Sequence, residues 1–296
     1  AEKPVRCFPD ERPHHRDERS RRATHTRGTG AAQEGPYLGY RARVRLPERL
    51  SAFFSEPGSV PLDEALLWVA SLRPGATVNI GEHLGLLETW AASVSSRDVE
   101  GLRTLVYDRL GFRGDVDDYH QAANSYLDEV LRRRQGMPIT LAVVLLSLGR
   151  RIGVELVPIG APGHFLVKEP VSGSLLDPFD RASEQQPSAL AARMATLGAH
   201  LDLAEALAPI PDQAVVARVL NNLTNTMVQR SVRDLDWVLD LRLALPMRYQ
   251  DPRALAALCE QRGRLDRAAE VLDQLARATE REDLSRRADA LRARLN

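Results

Sequence analysis

Two residues in the middle of the chain, His164 and Asp177, have the types and the spacing that general base chemistry needs. His164 lies in Pro-Gly-His-Phe-Leu-Val at 162–167, and Asp177 lies in Leu-Asp-Pro-Phe at 176–179. An imidazole can accept the proton of an attacking nucleophile, and a carboxylate beside the ring fixes its orientation. These residues supply two of the three members of a cysteine-protease-type site, whose third member is a nucleophile at a helix N-terminus.

A purely structural role explains the same two residues. In that interpretation His164 is a buried histidine that satisfies a turn carbonyl, and Asp177, which precedes a proline, caps a local turn. The spacing alone does not separate the two interpretations. An enzyme and a protein that binds without catalysis therefore both stay open.

The stretch before His164 predicts two helices. Residues 124–134 predict a short helix with Ser125 as its N-cap and Gly136 as its stop. Pro138 can open a second helix that runs from Ile139 to about Ile152, because the first turn does not use the N–H that proline lacks. This second helix is apolar on nearly every side, so we expect it at the centre of the fold.

A small sheet is predicted to follow the buried helix. Its strands are Val154 to Ile159, Phe165 to Lys168 and Leu175 to Asp177, and no strand is predicted beyond Pro178. Turn residues separate the last two strands, which predicts an antiparallel hairpin. An extended segment from Tyr37 to Leu46 is a further candidate strand.

Helical spacing of apolar residues predicts helices on both sides of this core. The predicted segments are 50–72 with a break at 57–61, 80–94, 99–110, 188–197, 212–230, 234–243, 252–262, 265–278 and a last helix to about residue 295. Two of them, 252–262 and 265–278, are joined through a glycine and predict one tetratricopeptide-like hairpin. We therefore predict a disordered polar tail at 1–35, an α+β domain at 36–186 and a helical region at 187–296.

Composition narrows the classes of function. Lys plus Arg equals Asp plus Glu, which gives no indication of a nucleic-acid partner, and no apolar run approaches the ~20 residues of a membrane span. The two cysteines, Cys7 and Cys259, form neither a disulfide framework nor a metal cluster. We expect a cytoplasmic protein without a cofactor, a metal, a membrane anchor or nucleic acid.

Several motifs together resemble those of the SirB-type family. They are Leu-Gly-Phe-Arg-Gly at 110–114, Asn-Ser-Tyr-Leu at 124–127, Pro-Ile-Thr-Leu at 138–141, Pro-Gly-His-Phe-Leu-Val at 162–167 and Asp-Pro-Phe at 177–179. That family is described as a transglutaminase-like domain followed by tetratricopeptide-like helices. The resemblance implies an α+β, papain-like core in which a buried helix packs on a small antiparallel sheet.

The resemblance also implies a site. The His and Asp of the superfamily match His164 and Asp177, and its nucleophilic Cys falls on Pro138, which has no nucleophilic group. Thr140 lies two residues further along the helix, about 200° around its axis, so we do not expect it at the position of Pro138. Where the family commonly has a Gly-Gly turn after Asp-Pro-Phe, this chain has Asp-Arg-Ala at 180–182.

We therefore predict a non-catalytic binding or regulatory protein on a transglutaminase-like scaffold, with a protein or peptide partner. The predicted site comprises His164 and Asp177 and the binding residues Asn124, Tyr126, Pro138, Thr140, Phe165 and Phe179. The competing hypothesis is an amide-bond hydrolase or transamidase that uses His164 and Asp177 with an unidentified nucleophile or an activated water. A hydroxyl or thiol within hydrogen-bond reach of His164 would favour the enzyme.

Overall fold

A computed structural model describes residues 46–196, 202–230 and 235–295. Within these ranges a small antiparallel sheet and a buried helix are surrounded by helices, which confirms the predicted α+β class. The predicted polar tail lies outside the described residues. So does the candidate strand at 37–46, apart from its last residue.

Helices make up most of the described chain. They are α1 (Glu48–Ser55), α2 (Leu62–Ser71), α3 (Ile80–Ala92), α4 (Val99–Arg103), α5 (Leu127–Arg133), α6 (Pro138–Ile152), α7 (Pro187–Thr196), α8 (Leu203–Ala206), α9 (Asp212–Gln229), α10 (Asp236–Ala244), α11 (Pro252–Gln261), α12 (Leu265–Thr279) and α13 (Glu282–Ala293). A π-helical segment, Thr104–Arg109, continues α4, and 3-10 turns form at Ala122–Ser125 and Met247–Tyr249.

The strands form two sheets. They are β1 (Arg113–Gly114), β2 (Gln135–Gly136), β3 (Val157–Ile159), β4 (Leu166–Lys168), β5 (Leu175–Asp177) and β6 (Ser183–Gln185). The first two strands pair in parallel, and the other four form an antiparallel sheet in chain order. The predicted hairpin is confirmed, since Val167 of β4 pairs with Leu176 of β5. The strand β6 was not predicted, because its Ser-Glu-Gln sequence carries no apolar alternation.

The short helix before the buried one differs from the prediction at both ends. Its N-cap is Tyr126 rather than Ser125, whose hydroxyl instead faces the Met137 sulfur at 3.7 Å. The helix ends at Arg134, which adopts a left-handed conformation with φ 59°, and not at Gly136. Gly136 instead belongs to β2, so the chain after α5 pairs with β1 before it enters α6.

Helix α6 lies at the centre of the core, as predicted. Proline stands at its first position, and Gly153 closes it in a left-handed conformation with φ 80°. Most of its residues are buried and pack in one cluster with α2, α9 and the sheet. Because α9 lies beyond residue 186 and contributes to this cluster, both sides of the predicted domain boundary share one core; the boundary itself stays a prediction.

The last helices form a second apolar cluster. Helices α11 and α12 are joined through Gly263, whose φ is 70°, as the helix–glycine–helix pattern predicts. Cys259 is fully buried in this cluster, and burial raises the pKa of its thiol to about 11. That cysteine is therefore a packing residue. The predicted helical C-terminal segment is confirmed.

A buried carboxylate ties α2 to the C-terminal half of α6. Asp63 is 1% exposed, and its carboxylate accepts hydrogen bonds from the Ser147 hydroxyl at 2.6 Å and from Arg151 Nη1 at 2.6 Å. Arg150 adds a third contact at 3.2 Å. By sequence Asp63 is an acidic residue in the first turn of α2, and in the fold it is the centre of a buried polar cluster.

Candidate functional site

His164 and Asp177 meet at one end of the four-stranded sheet. His164 lies in the turn between β3 and β4, and Asp177 is the last residue of β5, so the antiparallel pairing of β4 with β5 brings them together. The His164 Nε2 lies 2.9 Å from Asp177 Oδ2. The two side chains are 12% and 11% exposed, so the pair is largely shielded from water.

The turn that carries His164 is anchored by hydrogen bonds. The His164 backbone N–H donates to the Ala161 carbonyl at 3.2 Å. Arg218, from α9, donates to the carbonyls of Gly160 and Ala161 and lies 5.5 Å from the centre of the Phe165 ring. The guanidinium therefore connects α9 to the backbone immediately before the histidine.

Asp177 is held by both of its oxygens. Oδ2 pairs with His164, while Oδ1 accepts the backbone N–H of Phe179 at 2.9 Å. Burial raises the pKa of the Asp177 carboxyl, but the hydrogen bond from His164 and the backbone donors outweigh it, so the pKa lies below its usual value. The carboxylate is thus ionised at neutral pH and caps the turn that follows β5.

The second nitrogen of His164 is also engaged. Arg193 of α7 places its Nη1 3.0 Å from His164 Nδ1. Because a guanidinium can only donate, Nδ1 accepts, and the ring proton lies on Nε2, where it is donated to Asp177. Among the described residues, no serine, threonine or cysteine side chain forms a hydrogen bond with this ring.

Tyr107 supports the turn that follows β5. It lies in the π-helical segment, and its hydroxyl donates to the Pro178 carbonyl at 2.8 Å. Burial raises the pKa of this phenol, so it stays a neutral donor. Sequence reasoning missed both Tyr107 and Arg193, because each reaches the site from a helix whose own sequence pattern shows only packing or solvent exposure.

Phe179 lies beside the site and against β1. A side chain at Gly114 would bring its Cβ within 2.5 Å of the Phe179 ring, so only glycine allows this close approach. The ring also makes an edge contact with Tyr119, with ring centres 5.9 Å apart. Gly114, the last residue of the Leu-Gly-Phe-Arg-Gly motif, therefore leaves the space that the Phe179 ring occupies.

Thr140 and Asn124 lie in a buried network at the start of α6. The Thr140 hydroxyl accepts the Met137 N–H at 3.1 Å and donates to the Asn124 carbonyl at 2.8 Å. The Asn124 amide in turn accepts from Arg133 at 3.0 Å and donates to the Asp118 carbonyl at 3.0 Å. These polar groups are satisfied within the fold, and a binding role for either residue stays a prediction.

The other predicted binding residues are distributed over the core. Tyr126 belongs to the second apolar cluster, where the Arg73 guanidinium lies 4.4 Å from its ring centre. Phe165 is buried in the first cluster, and Pro138 is half-buried at the first position of α6. The structure therefore brings together His164, Asp177 and Phe179, to which it adds Tyr107 and Arg193.

The turn after Phe179 adopts a conformation that favours glycine. Arg181 and Ala182 have φ values of 52° and 54°, in the left-handed region, although neither is a glycine. This is the segment in which the sequence resemblance implies a Gly-Gly turn. The chain adopts the left-handed conformation here without the residue type that adopts it most easily.

We expect Arg181→Gly to raise the free energy of unfolding by up to about 1 kcal/mol, because glycine adopts a positive φ without steric cost. Urea unfolding of the variant measures the gain. The control is Ala192→Gly, at an exposed position within α7, which should lower the same quantity by about 1 kcal/mol. A loss in both variants would show that the left-handed turn stores no strain.

The described residues offer no group of three or more His, Cys, Asp or Glu that could hold a metal ion. None of the described helices is long and apolar enough to cross a bilayer. A cavity of about 480 Å³ opens beside the turn, between α4 and the β5–β6 end of the sheet, and is lined in part by Arg103, Leu176 and Arg181.

Comparison with known proteins agrees with this geometry. Residues 82–221 match the transglutaminase-like superfamily, a range that includes α6, the whole antiparallel sheet and both residues of the His–Asp pair. The central part of the chain is therefore a transglutaminase-like domain. No solved structure matches the chain.

Curated relatives come from bacteria and from animals. A UPF0162 protein of Xylella fastidiosa is 35% identical over 165 residues, which cover 52% of this chain and 58% of that protein. A UPF0162 protein of Vibrio cholerae is 37% identical over 102 residues, 32% of this chain and 38% of that protein. F-box only protein 21 of Mus musculus is 34% identical over 119 residues, 40% of this chain and 18% of that protein. The chain thus matches less than two thirds of the length of each.

Proposed function

We propose that this chain is a non-catalytic binding or regulatory protein of the SirB type, whose transglutaminase-like domain recognises a protein or peptide partner around His164, Asp177 and Pro138. The observation that supports the proposal is that both nitrogens of the His164 imidazole are hydrogen-bonded. Nε2 is hydrogen-bonded to Asp177 and Nδ1 to Arg193, so neither nitrogen faces a nucleophile. The sequence resemblance implies that Pro138 occupies the place of the cysteine.

The helix N-terminus supports the same conclusion. A cysteine there would owe its reactivity to the helix dipole and to a neighbouring histidine. The first residue of α6 is instead a proline, which has neither a thiol nor an N–H. The nearby Thr140 hydroxyl already donates to the Asn124 carbonyl within a buried network, so it is not available as a replacement.

We expect Pro138→Cys to create a reactive thiol. At pH 6 its alkylation by iodoacetamide should be at least about tenfold faster than in the double variant Pro138→Cys/His164→Ala, because His164 favours the thiolate whenever the exposed Arg193 side chain leaves Nδ1, whereas the helix N-terminus is the same in both variants. The wild-type protein supplies the background rate from Cys7 and Cys259. Circular dichroism on Pro138→Ala shows whether the helix tolerates loss of the proline.

Two results would contradict the proposal. One is a Pro138→Cys thiol whose reactivity does not depend on His164, since Pro138 would then not lie at the position of the nucleophile. The other is hydrolysis of p-nitrophenyl ester or glutaminyl amide substrates by the wild-type protein that His164→Ala abolishes. The second result would establish the competing hypothesis, an amide-bond hydrolase or transamidase.

A further inference from the structure

The polar groups of the His–Asp pair define the kind of ligand that fits it. The ring proton of His164 is donated to Asp177, so the outward atom of the pair, Nδ1, is an acceptor with an ionised carboxylate on the far side of the ring. An anionic ligand would meet a lone pair and a negative charge. A cationic donor would meet a hydrogen-bond acceptor and a favourable potential.

The chain itself supplies such a donor. The Arg193 guanidinium donates a hydrogen bond to His164 Nδ1 from an exposed position on α7. We infer that Arg193 stands in for the ligand, and that the His164–Asp177 pair recognises the basic side chain, arginine or lysine, of a protein or peptide partner. This inference rests on the proposed function, because it names the ligand class of the same site.

The contact made by Arg193 is weak enough to be exchanged. Among the described residues its guanidinium forms no ion pair with a carboxylate, and the bond to His164 is its one side-chain hydrogen bond. Arg151 shows the contrast, since it is 6% exposed and pairs with both Asp63 and Glu88. A single hydrogen bond from a long, exposed side chain contributes a free energy little larger than the entropic cost of ordering that side chain.

Access to the pair requires Arg193 to move. The His164 side chain is only 12% exposed while Arg193 lies on it, so an external donor can reach Nδ1 only by displacing the guanidinium. Arg193 thus competes with the ligand, and its removal should strengthen binding. The opposite arrangement, in which Arg193 itself binds an anion through its remaining N–H groups, predicts that removal abolishes binding.

The test is a titration followed by NMR on the full chain. N-acetyl-arginine amide is the probe, N-acetyl-citrulline amide is its neutral counterpart of nearly the same shape, and N-acetyl-glutamate amide is the anionic probe. The backbone amide signals of Ala161 and Phe179 report binding, because both residues adjoin the site and remain in every variant.

We expect Arg193→Ala to bind N-acetyl-arginine amide about fivefold more tightly than the wild-type protein, since one competing hydrogen bond is removed. The matched control Arg181→Ala removes a nearby exposed arginine that pairs with Asp108, and it should leave the affinity unchanged. In His164→Ala the response should disappear. Citrulline should bind at least about fivefold more weakly than arginine to Arg193→Ala.

If the wild-type protein binds N-acetyl-glutamate amide and Arg193→Ala abolishes that binding, the inference is wrong. The ligand would then be an anion that Arg193 binds. Equal binding of arginine and citrulline would also overturn the inference. Either result, obtained together with His164-dependent thiol reactivity in Pro138→Cys, would leave the non-catalytic binding role in place and remove only the ligand class. Substrate hydrolysis by the wild-type protein would instead remove the proposed function itself.

Discussion

Replacing Asp63 by alanine should lower the free energy of unfolding by about 3–5 kcal/mol, the largest effect that we expect from any single substitution. The carboxylate is buried and neutralises Arg150 and Arg151 while it accepts the Ser147 hydroxyl. Without it, the largely buried Arg151 keeps, among the residues that the structure describes, only the exposed Glu88 as a carboxylate partner. Urea unfolding of the variant measures the loss.

The matched control is the next residue. Glu64 pairs with Arg49 at 2.6 Å, but the Arg49 side chain is 49% exposed, so Glu64→Ala should cost less than about 1 kcal/mol. Similar losses in the two variants would show that desolvation of the Asp63 cluster cancels its attraction. The two positions share a helix, so helix propensity does not separate them.

The Asp63 cluster should also make stability depend on pH. Burial raises the pKa of Asp63, but the Ser147 hydrogen bond and the charges of Arg151 and Arg150 outweigh it, so the folded-state pKa lies below the ordinary 3.8. The stabilisation is therefore complete above about pH 4 and is lost as the pH falls through the folded-state pKa. Asp63→Ala should flatten the fall in stability below pH 4.

Replacing Thr140 by valine should lower the free energy of unfolding by about 2–3 kcal/mol. Valine has nearly the same shape, yet it leaves the Met137 N–H and the Asn124 carbonyl without the partner that Thr140 supplies in a fully buried position. Thermal or urea unfolding gives the measurement. The substitution changes the polar network at the entry to α6 without opening a cavity.

Thr140→Ser is the control for the hydroxyl. It keeps both hydrogen bonds and removes one methyl group, so we expect a loss of about 1 kcal/mol. If Thr140→Val leaves stability unchanged but weakens binding of N-acetyl-arginine amide, Thr140 is a binding residue, as the sequence analysis predicts, and its hydrogen bonds contribute little to the fold.

The parts of the fold that follow from local patterns were predictable. The apolar run after Pro138 predicts a buried helix because no polar face remains for solvent. The strand Leu175–Asp177 and the hairpin that contains it follow from apolar residues between turn residues. The pairing of His164 with Asp177 was predictable at the level of neighbouring strands, since antiparallel pairing decides which residues meet.

The parts that depend on distant contacts were not predictable. Arg193 is one of many exposed arginines, and nothing in its own helix indicates that it reaches His164. Asp63 looks like any acidic residue in a first turn, because its arginine partners lie nearly ninety residues away in the chain. The strand β6 has a polar sequence, and its pairing with β5 follows a turn whose residues adopt unfavourable backbone conformations.

Helix α9 is part of both apolar clusters. Its first half, including Val216 and Leu220, packs in the cluster of α6, while Leu223 and Met227 pack in the cluster of the C-terminal helices. Since one rigid helix supplies both, neither cluster can come apart without exposing apolar side chains of the other. The core around α6 and the C-terminal helices are therefore mechanically coupled through α9.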